Sequence, residues 1–217
     1  MGKRLLVVGA GPGIGLETAS RFAREGFDIV LASRQPDTLG AGLDGLRAEG
    51  VAVETRVVDA ADGEAVSALV GEYAGRIDVL LYNAAALRFG PTIDQLTPQS
   101  IDEDIQVGLS SALRAIQAAL PGMAAKGGGT ILLTGGGIAD TPYPVALTLG
   151  AVKSGLRNAA QGLFEPLKAQ NVHLAVLTVN ASVTPGSDAA REIADAYWEL
   201  HASAPKNWAY ESHYPKA

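Results

Sequence analysis

The sequence predicts an α/β fold: a doubly wound parallel sheet of about seven strands with helices on both faces, forming a single domain. Two observations carry this. Short apolar runs that stop at turn residues alternate with stretches of helical periodicity along the whole chain. The first run, Leu5 to Val8, breaks abruptly into the glycine-rich turn Gly9-Ala-Gly-Pro-Gly-Ile-Gly15, and helical spacing begins immediately behind it. Size agrees, since 217 residues with 47% hydrophobic content fill one well-buried domain and are short for two.

Each element has its own local reason. Leu5 to Val8 is too short for a helix, and its valine pair suits a strand covered on both faces. Ile14, Thr18, Ala19, Phe22 and Ala23 recur at helical spacing until Gly26, a natural stop. Asp28 to Ala32 reads as the second strand, ending at Ser33-Arg34, and Asp37 to Ala48 as a weak, glycine-spaced helix. Val51 to Val58 is the third strand, closed by Asp59; Asp62 then opens a helix with Val66, Leu69, Val70 and Tyr73 on one face. Ile77 to Tyr82 forms the fourth strand, followed by Asn83-Ala-Ala-Ala86. Thr97 caps a long helix with Pro98 at its first position, where a missing N–H costs nothing; this helix is expected over 98–119, with Gly127 to Gly129 as a hard stop. Thr130 to Thr134 is the fifth strand, 145–170 a second long helix strained near its end by Pro166, Val172 to Val179 the sixth strand, and Asp188 to His201 the last helix. Alternating aromatics at 208, 210 and 214 suggest an edge strand over 208–214, with an aromatic ligand cage as the weaker alternative.

Composition removes several function classes. A net charge of -6, with no local run of Lys or Arg, argues against nucleic-acid and anionic-membrane surfaces. There is no cysteine, which excludes disulfides, thiolate chemistry and cysteine-ligated metals. His173, His201 and His213 fall in separate segments without ligand spacing, so no metal site is expected. The apolar run after Met-Gly-Lys-Arg is far too short for a signal peptide or a membrane span, and the expectation is a soluble, cytoplasmic protein.

The glycine turn points to a phosphate. Gly9, Gly13 and Gly15 allow close backbone approach, and the helix behind them directs free N–H groups and its positive dipole end at whatever lies above. Gly-x-Gly-x-x-Gly fails in every register, because its third position falls on Ile14, Leu16 or Thr18. The P-loop frame fails too, for want of Gly-Lys-Ser/Thr. The frame present, Gly-x-x-x-Gly-x-Gly, resembles the cofactor loop of short-chain dehydrogenases/reductases. Further marks follow in the family's order: Asp59 after strand three, Asn83-Ala84-Ala85 after strand four, and Lys153 in Gly-Ala-Val-Lys-Ser-Gly-Leu. The resemblance spans roughly residues 4 to 184. It implies a Rossmann-type sheet, with Gly9, Gly13, Ile14, Gly15, Asp59, Asn83, Ala84 and Lys153 along a dinucleotide, and Thr184 at its carboxamide. Strand two ends without the acidic residue that accepts from an NAD ribose; Ser33 and Arg34 stand there instead, and an arginine can pair with a 2′-phosphate. NADP is therefore expected over NAD. The alternative leaves Arg34 a solvated loop residue.

The family's catalytic pattern is largely missing. It uses a Tyr to protonate the substrate oxygen, a Lys to lower that Tyr's pKa and hold the nicotinamide ribose, a Ser to polarise the carbonyl and an Asn to support a water chain. Matched to those positions are Leu149 for the Tyr, Gly136 for the Ser and Gly108 for the Asn, so only Lys153 remains. Losing a general acid removes about 10²- to 10⁴-fold and losing an oxyanion donor roughly 10²- to 10³-fold, which disfavours ordinary ketone reduction. Tyr143 is a candidate for a relocated acid; with Pro142 and Pro144 on either side, it also reads as a packed loop aromatic. Lys153 has its own alternative as an exposed helix lysine. The family's substrate lid is essentially absent, because Thr184-Pro-Gly-Ser leads straight into the helix at Asp188 and leaves a truncated connection over 180–188.

Three readings follow. The chain is an NADP(H)-binding oxidoreductase of altered chemistry, with hydride transfer to an iminium or activated double bond of an unknown small molecule. Or it binds the cofactor without catalysis, as a sensor or partner subunit. Or the site serves another ligand, against which the glycine loop, Asp59, Asn83 and Lys153 all argue. The helices over 98–119 and 145–170 are those through which the family dimerises and tetramerises, and a homodimer or homotetramer is expected.

Overall fold

A computed structural model describes residues 2–216. Seven strands form one sheet: β1 (Arg4–Val8), β2 (Asp28–Ser33), β3 (Val53–Val57), β4 (Val79–Tyr82), β5 (Gly129–Thr134), β6 (Val172–Val179) and β7 (Glu211–Tyr214). Their order is β3-β2-β1-β4-β5-β6-β7 and every adjacent pair is parallel. Seven α-helices cover the faces: α1 (Ile14–Ala23), α2 (Gly40–Ala48), α3 (Gly63–Tyr73), α4 (Pro98–Ile105), α5 (Ser111–Ala125), α6 (Leu147–Lys168) and α7 (Asp188–Ala202).

Side-chain alternation explains the two layers. Leu6 and Val8 face one core with Val66 and Val70 of α3, Ala112 and Ala115 of α5, and Leu156 and Ala160 of α6. Leu5 and Val7 face the opposite core with Ala19 and Phe22 of α1 and Ile193 and Tyr197 of α7. Both faces being covered, the strands read as continuous apolar runs. The chain winds outward from β1 to β3, then returns to β4 on β1's other side, so a crevice opens at the carboxyl ends of β1 and β4.

Several boundaries differ from expectation. The helix over 98–119 is not continuous: α4 ends at Ile105, a π-turn covers Gln106–Ser110, and α5 runs on to Ala125 through Pro121. The cause is a buried donor. Tyr82 inserts its hydroxyl and donates to the Val107 carbonyl at 2.6 Å, taking an acceptor from the helical ladder. The second long helix is α6, Leu147–Lys168, two residues shorter at each end than 145–170. The weak helix over 37–48 begins as a 3₁₀ turn, Pro36–Leu39, before α2. The edge strand is Glu211–Tyr214, parallel to β6, and not 208–214. Its missing first half has a reason: His173 sits between the Leu200 and Ala209 carbonyls and stacks on Trp208 at 4.7 Å, holding that stretch away from the ladder. Trp208, Tyr210 and Tyr214 form no cage; they engage His173, Phe164 and Glu192 respectively.

Candidate functional site

The crevice is a cleft of about 990 Å³ lined by the turns after β1, β2, β3 and β4. Gly9 shapes it. Its φ is +87°, and a Cβ there would stand 2.3 Å from the Ala84 nitrogen, so only glycine lets the β1 turn press against the β4 turn. Asn83 locks the contact by donating to the Gly9 carbonyl at 2.9 Å. Its side-chain oxygen accepts from Thr134 Oγ1 at 2.8 Å, and Tyr197 lies 2.8 Å from the same hydroxyl. Since Thr134 spends its one proton on Asn83, Tyr197 is the donor to Thr134. A buried chain of bonds thus runs from α7 through β5 and β4 to the glycine turn.

Lys153 belongs to this chain as well. It is only 6% exposed, and its ammonium donates to the Thr134 carbonyl at 2.6 Å. The exposed-lysine alternative is therefore wrong. Burial pushes its pKa down to about 8, and no carboxylate pairs with it among the described residues. One helical turn earlier stands Leu149, itself buried at 5% exposure. A Cβ on Gly136 would lie 3.6 Å from Lys153 Cγ, in ordinary contact, while one on Gly108 would lie 2.3 Å from Val152 Cγ1. A side chain beginning at Gly136 therefore meets ordinary contacts, whereas one at Gly108 collides with Val152.

The other expected residues divide into two groups. Gly9, Ser33, Arg34, Asp59, Asn83 and Ala84 all line the cleft. Asp59 turns one carboxylate oxygen to its own loop, accepting from the Ala61 N–H at 2.9 Å. Gly13, Ile14 and Gly15 carry the turn into α1; Gly13 caps the helix with no side-chain acceptor, leaving the N–H groups of Ile14 and Gly15 without a protein partner. Thr184 is exposed and outside the cleft; its neighbour Val183 is the residue that approaches Gly13, at 4.0 Å from a Cβ placed there. Tyr143 is also outside. It is 53% exposed, and among the described residues its hydroxyl has no hydrogen-bond partner.

These groups suit an anionic dinucleotide. The helix N-terminus offers unpaired N–H donors. Ser33 Oγ is buried in the cleft wall without any hydrogen-bond partner, an orphan that a ligand oxygen would satisfy. Arg34 beside it is exposed and forms no salt bridge with a carboxylate among the described residues. Among those residues no cluster of His, Asp and Glu could hold a metal, and no helix is long and apolar enough to cross a membrane.

Sequence reasoning missed a second network. Asp104 on α4 is 2% exposed and takes Arg88, from the loop after β4, side-on: Arg88 Nε to Oδ2 at 3.0 Å and Nη2 to Oδ1 at 3.1 Å. Thr148, in the first turn of α6, donates to Oδ2 at 2.6 Å. One signal was present, because Asp104 lies three residues after Ile101 and four before Gly108, on the face α4 turns inward.

The family model for short chain dehydrogenase matches residues 3–197. The chain belongs to the short-chain dehydrogenase family. It is 31% identical over 177 residues to an oxidoreductase, asL5, of Sarocladium schorii, covering 82% of this chain and 71% of that one. It is 30% identical over 165 residues to the gluconate 5-dehydrogenase of Gluconobacter oxydans, covering 75% of this chain and 64% of that one. Among solved structures, a metagenomic short-chain oxidoreductase in complex with NADP superposes with a TM-score of 0.89 at 26% identity, covering 99% and 97% of the two chains. A short-chain dehydrogenase from Sphingobium yanoikuyae in complex with NADPH superposes with a TM-score of 0.85 at 26% identity, covering 98% and 88%.

Proposed function

We propose that this family member is an NADP(H)-binding oxidoreductase that transfers hydride to an iminium or an activated double bond. One observation carries the reading: Lys153 is buried, and the positions matched to the family's Tyr and Ser are Leu149 and Gly136, neither of which bears a hydroxyl. The cofactor supplies the hydride. An iminium carbon accepts it while the C=N π electrons move to nitrogen, giving a neutral amine without any proton from the protein. An enone accepts it at the β-carbon, and water protonates the α-carbon. Neither route needs the missing Tyr and Ser.

The binding roles follow from the cleft. The N–H groups of Gly13, Ile14 and Gly15 hold the pyrophosphate, Asn83 and Ala84 flank the cofactor, Asp59 meets the adenine and Lys153 the nicotinamide ribose. Ser33 and Arg34 take the 2′-phosphate, which selects NADP over NAD; the orphaned Ser33 oxygen and the unpaired Arg34 support this. Both superposed structures named above hold NADP or NADPH in their own chains. Thr184 is assigned to the carboxamide on the family's order of motifs, its neighbour Val183 lying against Gly13. A second reading, a non-catalytic NADP(H) sensor or partner subunit, is favoured by that same short connection, because little chain is available to exclude water from the site. The apolar groove of Ile105, Leu109, Leu113, Ile116, Leu120 and Leu163 on α4, the π-turn, α5 and α6 supports a homodimer or homotetramer, and a cytoplasmic location goes with the reading.

Calorimetric titration with NADPH and NADH tests the site. NADPH should bind more tightly than NADH, and Arg34→Ala should weaken NADPH by about tenfold or more while leaving NADH unchanged. Absence of binding by either nucleotide overturns the proposal. Hydride transfer from NADPH to a cyclic imine or an enone then separates the oxidoreductase from the sensor.

A further inference from the structure

The cleft extends past the residues assigned to the cofactor, and its far end has a distinct chemistry. Leu87, Phe89, Pro91 and Val107 line it together with Arg88 and Glu103. Leu87 is 72% and Phe89 62% exposed, apolar surface that a bound molecule would cover. The loop bearing them is fixed, since the Gly90 N–H donates to the Val145 carbonyl at 2.8 Å. The cation at this end is Arg88, and its charge is already spent: Asp104 grips it side-on and Glu103 lies 3.6 Å from Nη2. One cation thus faces two carboxylates. Among the described residues the Nη1 group of Arg88 makes no hydrogen bond, so its N–H donors are available.

We propose that this end of the cleft is the substrate subsite and that it takes an uncharged, largely apolar compound carrying one hydrogen-bond acceptor, rejecting anionic substrates. The proposal rests on the oxidoreductase reading above for the reaction but not for the binding selectivity. Arg88 acts here as a neutralised donor. Its Nη1 orients the carbonyl of an enone, Leu87 and Phe89 cover the apolar body, and the surplus negative charge of Glu103 and Asp104 repels a carboxylate or phosphate. Asp104 is the positioning residue, because it holds Arg88 flat against α4 and ties it through Thr148 to the start of α6.

Two matched probes test this: the neutral enone 4-phenyl-3-buten-2-one and its para-carboxylate. Each is titrated by calorimetry against the full chain, with and without saturating NADP⁺, alongside a separate NADPH titration. The neutral enone is expected to bind at least about tenfold more tightly than the carboxylate. Arg88→Met should weaken the neutral probe, and Glu103→Gln, at a half-exposed position that leaves the fold intact, should narrow the preference severalfold by releasing Arg88's charge. Asp104→Asn should narrow it further, and thermal unfolding shows whether that variant is folded. Equal affinity for the two probes, tighter binding of the carboxylate, no binding of the enone, or a preference untouched by Glu103→Gln overturns the proposal. Loss of NADPH binding with the probe preference intact would strike the cofactor reading alone.

Discussion

Replacing Lys153 with methionine should make the protein more stable at neutral pH, and the gain should shrink as the pH rises. The ammonium is buried with a single acceptor, the Thr134 carbonyl, and burial pushes its pKa from 10.5 down to about 8. That fall corresponds to roughly 3 kcal/mol of destabilisation while the lysine is charged in both states. Below pH 8 folded and unfolded chains both carry the proton, so the full cost is present. Between about 8 and 10.5 the unfolded chain binds a proton that the folded chain does not, and stability rises with pH through that window. Methionine matches the stem in length and removes the charge, but it leaves the Thr134 carbonyl without its donor, at a cost of about 1 kcal/mol. The net expectation is a gain of roughly 2 kcal/mol at pH 7, falling through zero to a small loss above pH 10. Urea unfolding of both proteins at half-unit steps from pH 7 to 10.5 measures the difference, which cancels the titration of all other groups. A difference that stays flat across the window would show that folding imposes no charge penalty on Lys153. The same variant should bind NADPH more weakly, so that stability and binding move in opposite directions, as expected of a strained functional group.

The glycines around the site give sharper structural tests. Gly9→Ala should abolish nucleotide binding and destabilise the fold by about 2 kcal/mol or more, since the φ of +87° and a backbone contact at 2.3 Å both oppose a Cβ; titration with NADPH and urea unfolding read the two effects. Gly136→Ser should be tolerated within roughly 0.5 kcal/mol, its Cβ meeting nothing nearer than 3.6 Å, whereas Gly108→Asn should cost several times that by driving into Val152, and Val152→Ala should recover part of the loss. Equal unfolding midpoints for Gly136→Ser and Gly108→Asn would contradict the packing described.

How far the sequence revealed all this depends on the range of the interactions involved. Strands β1, β2, β5 and β6 are dense apolar runs with turn residues at their ends, so local pattern was enough to place them. The glycine turn was legible for the same reason, because backbone approach leaves its mark in the residue that makes it. The break in the helix expected over 98–119 was not legible. It depends on Tyr82, a strand residue 25 positions away, whose hydroxyl claims the Val107 carbonyl. The Arg88–Asp104–Thr148 network spans separations of 16 and 44 residues. Read alone, Arg88 and Asp104 are ordinary surface charges, and only their burial against each other gives them meaning.

The same distinction explains why Lys153 could be read either way. A lysine on an amphipathic helix is exposed by default, and its head is held at depth here by the Thr134 carbonyl, which accepts from it. Thr134 joins two circuits: its carbonyl holds Lys153, and its hydroxyl relays from Tyr197 to Asn83 and the Gly9 turn. A shift of β5 by a fraction of an ångström would therefore change the lysine and the nucleotide turn together. The glycine turn and the surroundings of Lys153 are mechanically one unit.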